Sequence, residues 1–101
     1  MEITQEKQGS ALTFFLSGKM DVKAAREFDK VLKDSLDGVE DLAIDLKELA
    51  YIASAGLRTL FAAQKRMDNQ GKMKILHVAP QVREVFEITG FHNILDIGGK
   101  A

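Results

Sequence analysis

The sequence predicts an α/β domain with a mixed sheet of about five strands and helices mainly on one face. Segments with the apolar spacing of amphipathic helices alternate with short apolar runs typical of strands. The predicted element order is β β α β α β α β, in which an antiparallel hairpin comes first and strands separated by helices pair in parallel. Three helices are too few to cover both faces of such a sheet.

The opening hairpin and the first helix follow from local patterns. Residues 2–7 form the first strand, residues 8–10 a turn, and residues 11–17 a second strand whose alternate positions are apolar. Asp21 can cap the first helix, because its carboxylate can accept the free amides of the first turn. That helix buries one stripe, formed by Ala25, Phe28, Leu32 and Leu36.

The middle of the chain predicts a buried strand and a second helix. Residues 42–46 form a nearly continuous apolar run, as expected for a strand in the middle of a sheet. A loop over residues 49–52 leads to a helix that begins at Ser54 or Ala55 and ends at Met67.

The last third repeats this alternation. Residues 74–78 predict another inner strand, and Pro80 opens a third helix that ends near residues 89–90. Residues 94–97 predict a last, short strand.

Composition limits the possible functions. The 101 residues are 46% hydrophobic and contain no Cys, which favours one domain over residues 1–101 and excludes disulfides and thiol catalysis. The imidazoles of His77 and His92 have no spacing typical of a metal site, so a structural or surface role is favoured and no cofactor is expected. A pairing of Asp21 and Asp45 for acid/base catalysis is less favoured than capping. We therefore expect a protein that is not an enzyme.

Charge and hydropathy indicate a protein partner. The net charge is −1, so no basic field is available for nucleic acid. Residues 1–50 carry 7 basic and 11 acidic side chains, a net of −4, and residues 51–101 carry 7 and 4, a net of +3. No apolar run is long enough to insert into a membrane, and the first residues lack the pattern of a signal peptide, so we expect a cytoplasmic location.

Ser54 is the centre of the most informative segment. It stands where a parallel sheet usually places its functional loop, between the central strand and the second helix. Small neighbours on both sides leave its hydroxyl open to a kinase, and a phosphate there would face the amides of a helix N-terminus. The alternative is that Ser54 caps the helix, with Ala55 and Gly56 small because the helix packs close to the sheet. A capping serine can also be phosphorylated, so both interpretations stay open.

Three segments carry a family resemblance. Residues 45–60, DLKELAYIASAGLRTL, resemble the signature of the STAS domain (sulfate transporter and anti-sigma factor antagonist), which runs Asp-Leu-Ser-x-Val-x-x-Ile-Asp-Ser-Ser-Gly-Leu. Residues 16–21 resemble the family's segment at the end of the second strand, and residues 81–91 resemble its last helix and turn. The resemblance spans nearly the whole chain.

The resemblance implies a bacterial anti-sigma-factor antagonist that acts by partner switching. Such a protein binds an anti-sigma factor that is also a serine kinase, is released when its serine is phosphorylated, and is restored by a serine phosphatase. The phosphorylated serine corresponds to Ser54, with Asp21 at the acidic position beside it and Asp45 at the end of the central strand. The implied partner-binding residues are Asp21, Ile52, Ala53, Ser54, Ala55, Gly56, Leu57 and Arg58.

One departure supports an alternative. Ala53 and Ala55 replace the Asp or Ser and the second Ser that usually flank the family's serine. The same domain also occurs as a module that is not phosphorylated and binds a transporter ATPase or a small ligand. The basic side chains of Arg58, Lys65 and Arg66 are ordinarily a solvated helix face, but they could also meet an acidic partner.

Overall fold

The structure is a computed structural model that describes residues 1–90. The predicted strand over residues 94–97 and His92 lie outside the described residues. The elements, in chain order, are β1 (Glu2–Gln8), β2 (Ala11–Met20), α1 (Val22–Ser35), β3 (Asp41–Ile52), α2 (Ser54–Asp68), β4 (Lys72–Leu76) and α3 (Pro80–Thr89). None of the helices in residues 1–90 is long and apolar enough to cross a bilayer.

The sheet is mixed, as the sequence predicts. Within the described part of the chain it has four strands in the order β1-β2-β3-β4. The β1 strand pairs antiparallel with β2, while β2 with β3 and β3 with β4 pair in parallel. The carboxyl ends of the three parallel strands therefore meet at one edge of the sheet, where α1 and α2 begin.

One hydrophobic cluster joins the helices to the sheet. Phe14 of β2 meets Phe28 of α1 edge to face, with ring centroids 5.3 Å apart. Alternate strand residues and one stripe of each helix contribute fully or almost fully buried side chains, among them Leu12, Leu16, Leu42, Ile44, Leu46, Leu32, Leu57, Leu60, Val82 and Phe86. Burial stabilises the fold by about 1.5–3 kcal/mol for each large apolar side chain. These contacts therefore fix the positions of the helices on the sheet.

The expected loop over residues 49–52 is wrong, because β3 continues to Ile52. Its register against β2 shifts twice, between Phe15 and Ser17 and between Gly18 and Lys19, and each shift inserts one extra residue in β3. The buried residues at this end are therefore Leu46, Leu49 and Ile52, spaced by three rather than two. A strand with two bulges loses the period of two by which strands are identified from sequence.

The last described strand also differs from its predicted bounds. The expected strand over residues 74–78 is observed as Lys72–Leu76. His77 follows it with φ of 55°, a left-handed backbone that ends the extended conformation. The apolar pattern continues past the strand because Val78 packs against the core.

Candidate functional site

Two strand-to-helix junctions lie side by side at the carboxyl edge of the sheet. The β2 strand ends at Met20 and passes through Asp21 into α1, and β3 ends at Ile52 and passes through Ala53 into α2. Met20 and Ile52 are partners in the parallel register, and the Ala53 N–H donates to the Met20 carbonyl at 2.8 Å. The structure therefore brings together the junctions that carry the predicted partner-binding residues.

Ser54 is the first residue of α2 and is exposed. The chain contains four serines, and the other three, Ser10, Ser17 and Ser35, are half-buried. Ser54 is therefore the most accessible serine of the chain, and it lies in the first turn of α2.

The expectation that Ser54 caps α2 is wrong. The N-cap is Ala53, with φ of −82° and ψ of 165°, and no side chain provides a cap hydrogen bond. Because β3 extends to Ile52, only Ala53 remains to link strand and helix, and Ser54 already has helical backbone. Its hydroxyl has no capping role in this structure, and the first turn of α2 lacks a side-chain acceptor.

Gly56 allows α2 to lie close to the sheet. A Cβ at this position would lie 2.6 Å from the Met20 Sδ and 2.7 Å from the Ile52 Cγ1. Both of those side chains are buried, so neither can move into solvent. The prediction that small residues follow Ser54 because the helix packs closely is confirmed at Gly56.

Thr59 links the two helices that carry the junctions. Its single hydroxyl proton is shared between the carbonyl oxygens of Ala55, at 3.1 Å, and Ala25, at 3.4 Å. The first acceptor is one turn back in α2 and the second is in α1. This buried contact holds the N-terminal turns of α1 and α2 together, and with them Asp21 and Ser54.

Asp21 is confirmed as a helix cap. Its Oδ1 accepts the Ala24 N–H at 2.8 Å while the rest of the residue is exposed. The carboxylate therefore lies at the N-terminus of α1, where the helix dipole favours a negative charge. It also gives the surface next to Ser54 an acidic group.

Replacement of Asp21 tests this capping role. We expect Asp21→Ala to lower the free energy of unfolding by about 1 kcal/mol, because the first turn of α1 loses its acceptor. Asp21→Asn keeps an acceptor oxygen without the charge and should retain most of that stability. Urea denaturation followed by circular dichroism measures both; equal stability of Asp21→Ala and the parent chain would contradict the assignment.

Asp45 does not stand at the end of the central strand and caps no helix, which corrects both expectations. It lies within β3, opposite Phe15 and Leu76. Its Oδ1 accepts the Lys47 N–H at 2.9 Å, at the first bulge, and its Oδ2 lies 2.8 Å from the His77 Nδ1. Phe15 is the β2 partner of Asp45, and Asp21 lies six residues further along the chain, about 20 Å away in extended conformation. The structure therefore does not bring the carboxylates of Asp21 and Asp45 together.

The histidine and the basic helix face have structural contacts. His77 pairs with Asp45 and joins a shallow depression of about 450 Å³ that also includes Phe15, Ser17 and Glu48. Within residues 1–90 no group of three or more side chains has the arrangement of a metal site. Arg66 binds Asp37 at 2.8 Å, while Lys65 lies over the Phe61 ring, 5.3 Å from its centroid. The remaining predicted cation, Arg58, is exposed one turn after Ser54 on α2.

Two exposed apolar residues at the junctions were missed by the sequence analysis. Val22 follows Asp21 and is 50% exposed, and Tyr51 precedes Ile52 and is 49% exposed. Val22 precedes Ala25 by three residues, a spacing that predicts burial on the same stripe, so the sequence did not indicate its exposure. The exposure of Tyr51 was not indicated either, because its orientation depends on the second bulge of β3.

The fold and this edge of the sheet define a small α/β domain with a mixed sheet that presents a serine at a strand-to-helix junction. The family model of the STAS domain matches residues 2–100, and the chain belongs to this family. Its resemblance to STAS proteins over nearly the whole length is thereby confirmed.

Relatives within the family are anti-sigma factor antagonists. The chain is 34% identical over 99 residues to a protein of Bordetella bronchiseptica described as anti-sigma factor antagonist BtrV, a match that covers 96% of this chain and 85% of that protein. It is 30% identical over 87 residues to the anti-sigma-B factor antagonist of Bacillus subtilis, over 85% of this chain and 80% of that one.

Solved structures share the fold. A crystal structure of an anti-sigma factor antagonist from Mycobacterium paratuberculosis superposes with a TM-score of 0.88 at 19% identity, covering 99% of this chain and 86% of that chain. The phosphorylated form of the Bacillus protein SpoIIAA superposes with a TM-score of 0.76 at 16% identity, over 98% and 93% of the two chains.

Proposed function

We propose that the protein is an anti-sigma-factor antagonist that works in the cytoplasm by partner switching and is controlled by phosphorylation of Ser54. The observation that carries this proposal is the exposed Ser54 hydroxyl at the start of α2, beside the Asp21 junction. The names of the relatives support the same role. The protein is then a ligand and a kinase substrate, not a catalyst.

The proposed partner is an anti-sigma factor that is also a serine kinase. It binds the surface formed by the two junctions, with Asp21 on one side, Arg58 on the other and the small residues Ala53 and Ala55 between them. Val22 and Tyr51 add apolar area to this surface. Small side chains around Ser54 let a kinase active site approach the hydroxyl closely.

Phosphorylation changes the surface without disturbing the fold. A phosphate on Ser54 adds about −1.5 to −2 charges at the N-terminus of α2, where the helix dipole and uncapped amides favour an anion. The same charge repels any acidic group of the partner and fills the space that its backbone would occupy. A serine phosphatase then removes the phosphate and restores binding.

Kinase labelling tests the modification. We expect incubation with the cognate anti-sigma kinase and ATP to add one phosphate, measured by intact mass, and Ser54→Ala to abolish it. Ser35→Ala is the matched control, because Ser35 is also on a helix but is half-buried, and it should be labelled like the parent chain. Absence of a phosphate, or equal labelling of Ser54→Ala, would disprove the switch.

A second candidate follows from Ala53. The α2 N-cap has no carboxylate, which departs from the motif that the family's kinases usually meet. The domain could then bind a transporter ATPase, or a small ligand, without phosphorylation. Affinity capture from the native organism separates the two functions: recovery of a transporter ATPase and no serine kinase would favour the second.

A further inference from the structure

The face of the sheet that points away from the helices, called the outer face below, is open. In β2 the even-numbered residues from Leu12 to Leu16 are buried in the core with the helices, so Thr13, Phe15 and Ser17 point outward. Phe15 lies near the middle of the outer face and is 36% exposed, so no element within residues 1–90 is packed over it. The outer face is therefore free to meet a partner.

The pairing registers align the outward residues in rows that cross all four strands. Glu6 of β1 pairs with Thr13 of β2, Thr13 with Ala43 of β3, and Ala43 with Lys74 of β4. In the same strand order, the rows on either side are Gln8, Ala11, Asp41 and Lys72, and Thr4, Phe15, Asp45 and Leu76. A fourth row crosses three strands and contains Glu2, Ser17 and Glu48.

Charge on the outer face is segregated between its two edges. The β1 edge carries Glu2 and Glu6, while Lys7 alternates to the other face of the sheet. The β4 edge carries Lys72 and Lys74 and no acidic residue. These two glutamates and two lysines are exposed. The outer face therefore has an acidic edge and a basic edge.

Symmetry and charge together limit how two copies can place their outer faces together. When two identical sheets pack with aligned strands, the two-fold axis lies between them and runs either across or along the strands. An axis across the strands sets each edge on the same edge of the other copy. Every position of such an axis opposes like charges; an axis at the Glu6 row, for example, sets Glu6 and Lys74 against their own copies. Like charges directly opposed are destabilising, which disfavours this arrangement.

An axis along the strands sets each row against the same row of the other copy, in reverse strand order. When the axis lies between β2 and β3, Glu6 lies opposite Lys74 of the second copy, and the symmetry makes this contact twice. Thr13 lies opposite Ala43, and these small side chains let the two sheets approach. The other charged residues lie opposite uncharged ones or beyond the end of β4: Asp41 opposite Ala11, Asp45 opposite Phe15, Lys72 opposite Gln8, Glu48 opposite Ser17, and Glu2 one row past Leu76.

Other positions of this axis lose the complementarity. An axis along β2 sets Glu2 against Glu48, and an axis along β3 sets Glu48 and Asp41 against their own copies. An axis nearer an edge overlaps at most two strands and leaves half or more of each outer face uncovered. Of these positions, only the central one covers all four strands, opposes unlike charges and opposes no like charges.

The area of the outer face indicates a weak association. Four strands about 4.8 Å apart and seven residues about 3.3 Å apart span about 19 Å by 23 Å, or about 440 Å² on each copy. A stable interface of standard size buries about 800 Å² on each partner. Two copies are therefore expected to associate reversibly and at high protein concentration.

We propose that two copies of this chain form a weak, reversible dimer by packing their outer faces together, with Glu6 of each copy paired to Lys74 of the other. The strands of the two copies run in the same direction, and the helices lie on the outside of the dimer. Both Ser54 sites then lie at the same end and stay accessible. The inference does not depend on the proposed function.

Charge reversal tests the predicted pairing. Sedimentation equilibrium at low salt measures dimerisation of the parent chain up to about 1 mM, the range of a weak interface. We expect Glu6→Lys and Lys74→Glu each to weaken the dimer about tenfold, because each sets like charges against each other at two symmetry-related places. Lys7→Glu is the matched control: it makes the same change at an exposed lysine of β1 that points to the other face, so dimerisation should be unchanged.

A mixture of the two variants separates lost pairing from damage to the fold. In a mixed dimer of Glu6→Lys with Lys74→Glu, both contacts again join opposite charges. The equimolar mixture should therefore dimerise as the parent chain does, although neither variant does so alone. A parent chain that stays monomeric throughout this range, a mixture that associates no better than its components, or a Lys7→Glu dimer as weak as that of Lys74→Glu would each overturn the proposal.

Discussion

Replacement of Ser54 by aspartate is expected to weaken binding to the anti-sigma kinase at least about tenfold, a loss of about 1.4 kcal/mol. The substituted carboxylate imitates part of the phosphate charge in the middle of the proposed binding surface. Ser54 is exposed and has no capping hydrogen bond, so the change adds a charge without removing a structural contact. Titration calorimetry with the purified kinase measures the effect.

Two further measurements make this expectation specific to charge. Ser54→Ala should bind like the parent chain, because Ser54 does not cap α2 and loss of the hydroxyl costs little. Ser54→Asp should unfold at the same urea concentration as the parent or slightly higher, since a carboxylate at a helix N-terminus is favourable. Equal affinity of all three chains for the kinase would instead place the partner surface elsewhere.

The parts of the site that depend on local chemistry could be predicted from the sequence. Asp21 is followed by a clear amphipathic stripe, and capping involves only the next three residues, so the cap was identified correctly. The position of Ser54 at the start of α2 followed from the same local pattern. Such features are set by interactions within one helical turn, which sequence patterns record directly.

The parts that depend on the path of β3 could not be predicted. Its two bulges remove the alternation of buried residues. The strand continues to Ile52, so Ala53 occupies the N-cap position and Ser54 is the first residue of α2. The pairing of Asp45 with His77 joins residues 32 positions apart, and nothing in either local sequence indicates the contact. Long-range geometry of this kind appears only when the strands are assembled.

Gly56 allows the close approach that, with the polar contacts of Ala53 and Thr59, positions Ser54 relative to Asp21. Ser54 is presented by the first turn of α2, and this turn lies against Met20 and Ile52, the last residues of β2 and β3. Those two side chains are 0% and 3% exposed, so a Cβ at position 56 meets packed side chains and not solvent. A side chain there must therefore shift Met20 and Ile52, the helix, or both.

We expect Gly56→Val to lower the free energy of unfolding by about 2–3 kcal/mol, because the added Cβ and methyl groups overlap buried side chains. Gly56→Ala carries the same Cβ but lacks the two further methyl groups and gains up to about 1 kcal/mol of helix propensity over glycine, so it should lose less. Ala62→Val, on the exposed side of the same helix, is the matched control and should cost only about 0.5–0.7 kcal/mol of helix propensity. Urea denaturation gives the three values.

The affinity for the kinase distinguishes displacement of the site from a loss of stability alone. At a temperature where Gly56→Val remains folded, it should still bind the kinase less well than the parent chain, because α2 carries Ser54 and Arg58 away from Asp21. Ile75→Val removes one buried methyl group from β4, outside the proposed surface, and should cost about 0.5–1.5 kcal/mol, so it shows how much affinity is lost to lower stability alone. Stability of Gly56→Val equal to that of Ala62→Val would contradict the close packing of α2. Unchanged kinase binding in a destabilised Gly56→Val would show that the partner does not depend on the relative position of the two junctions.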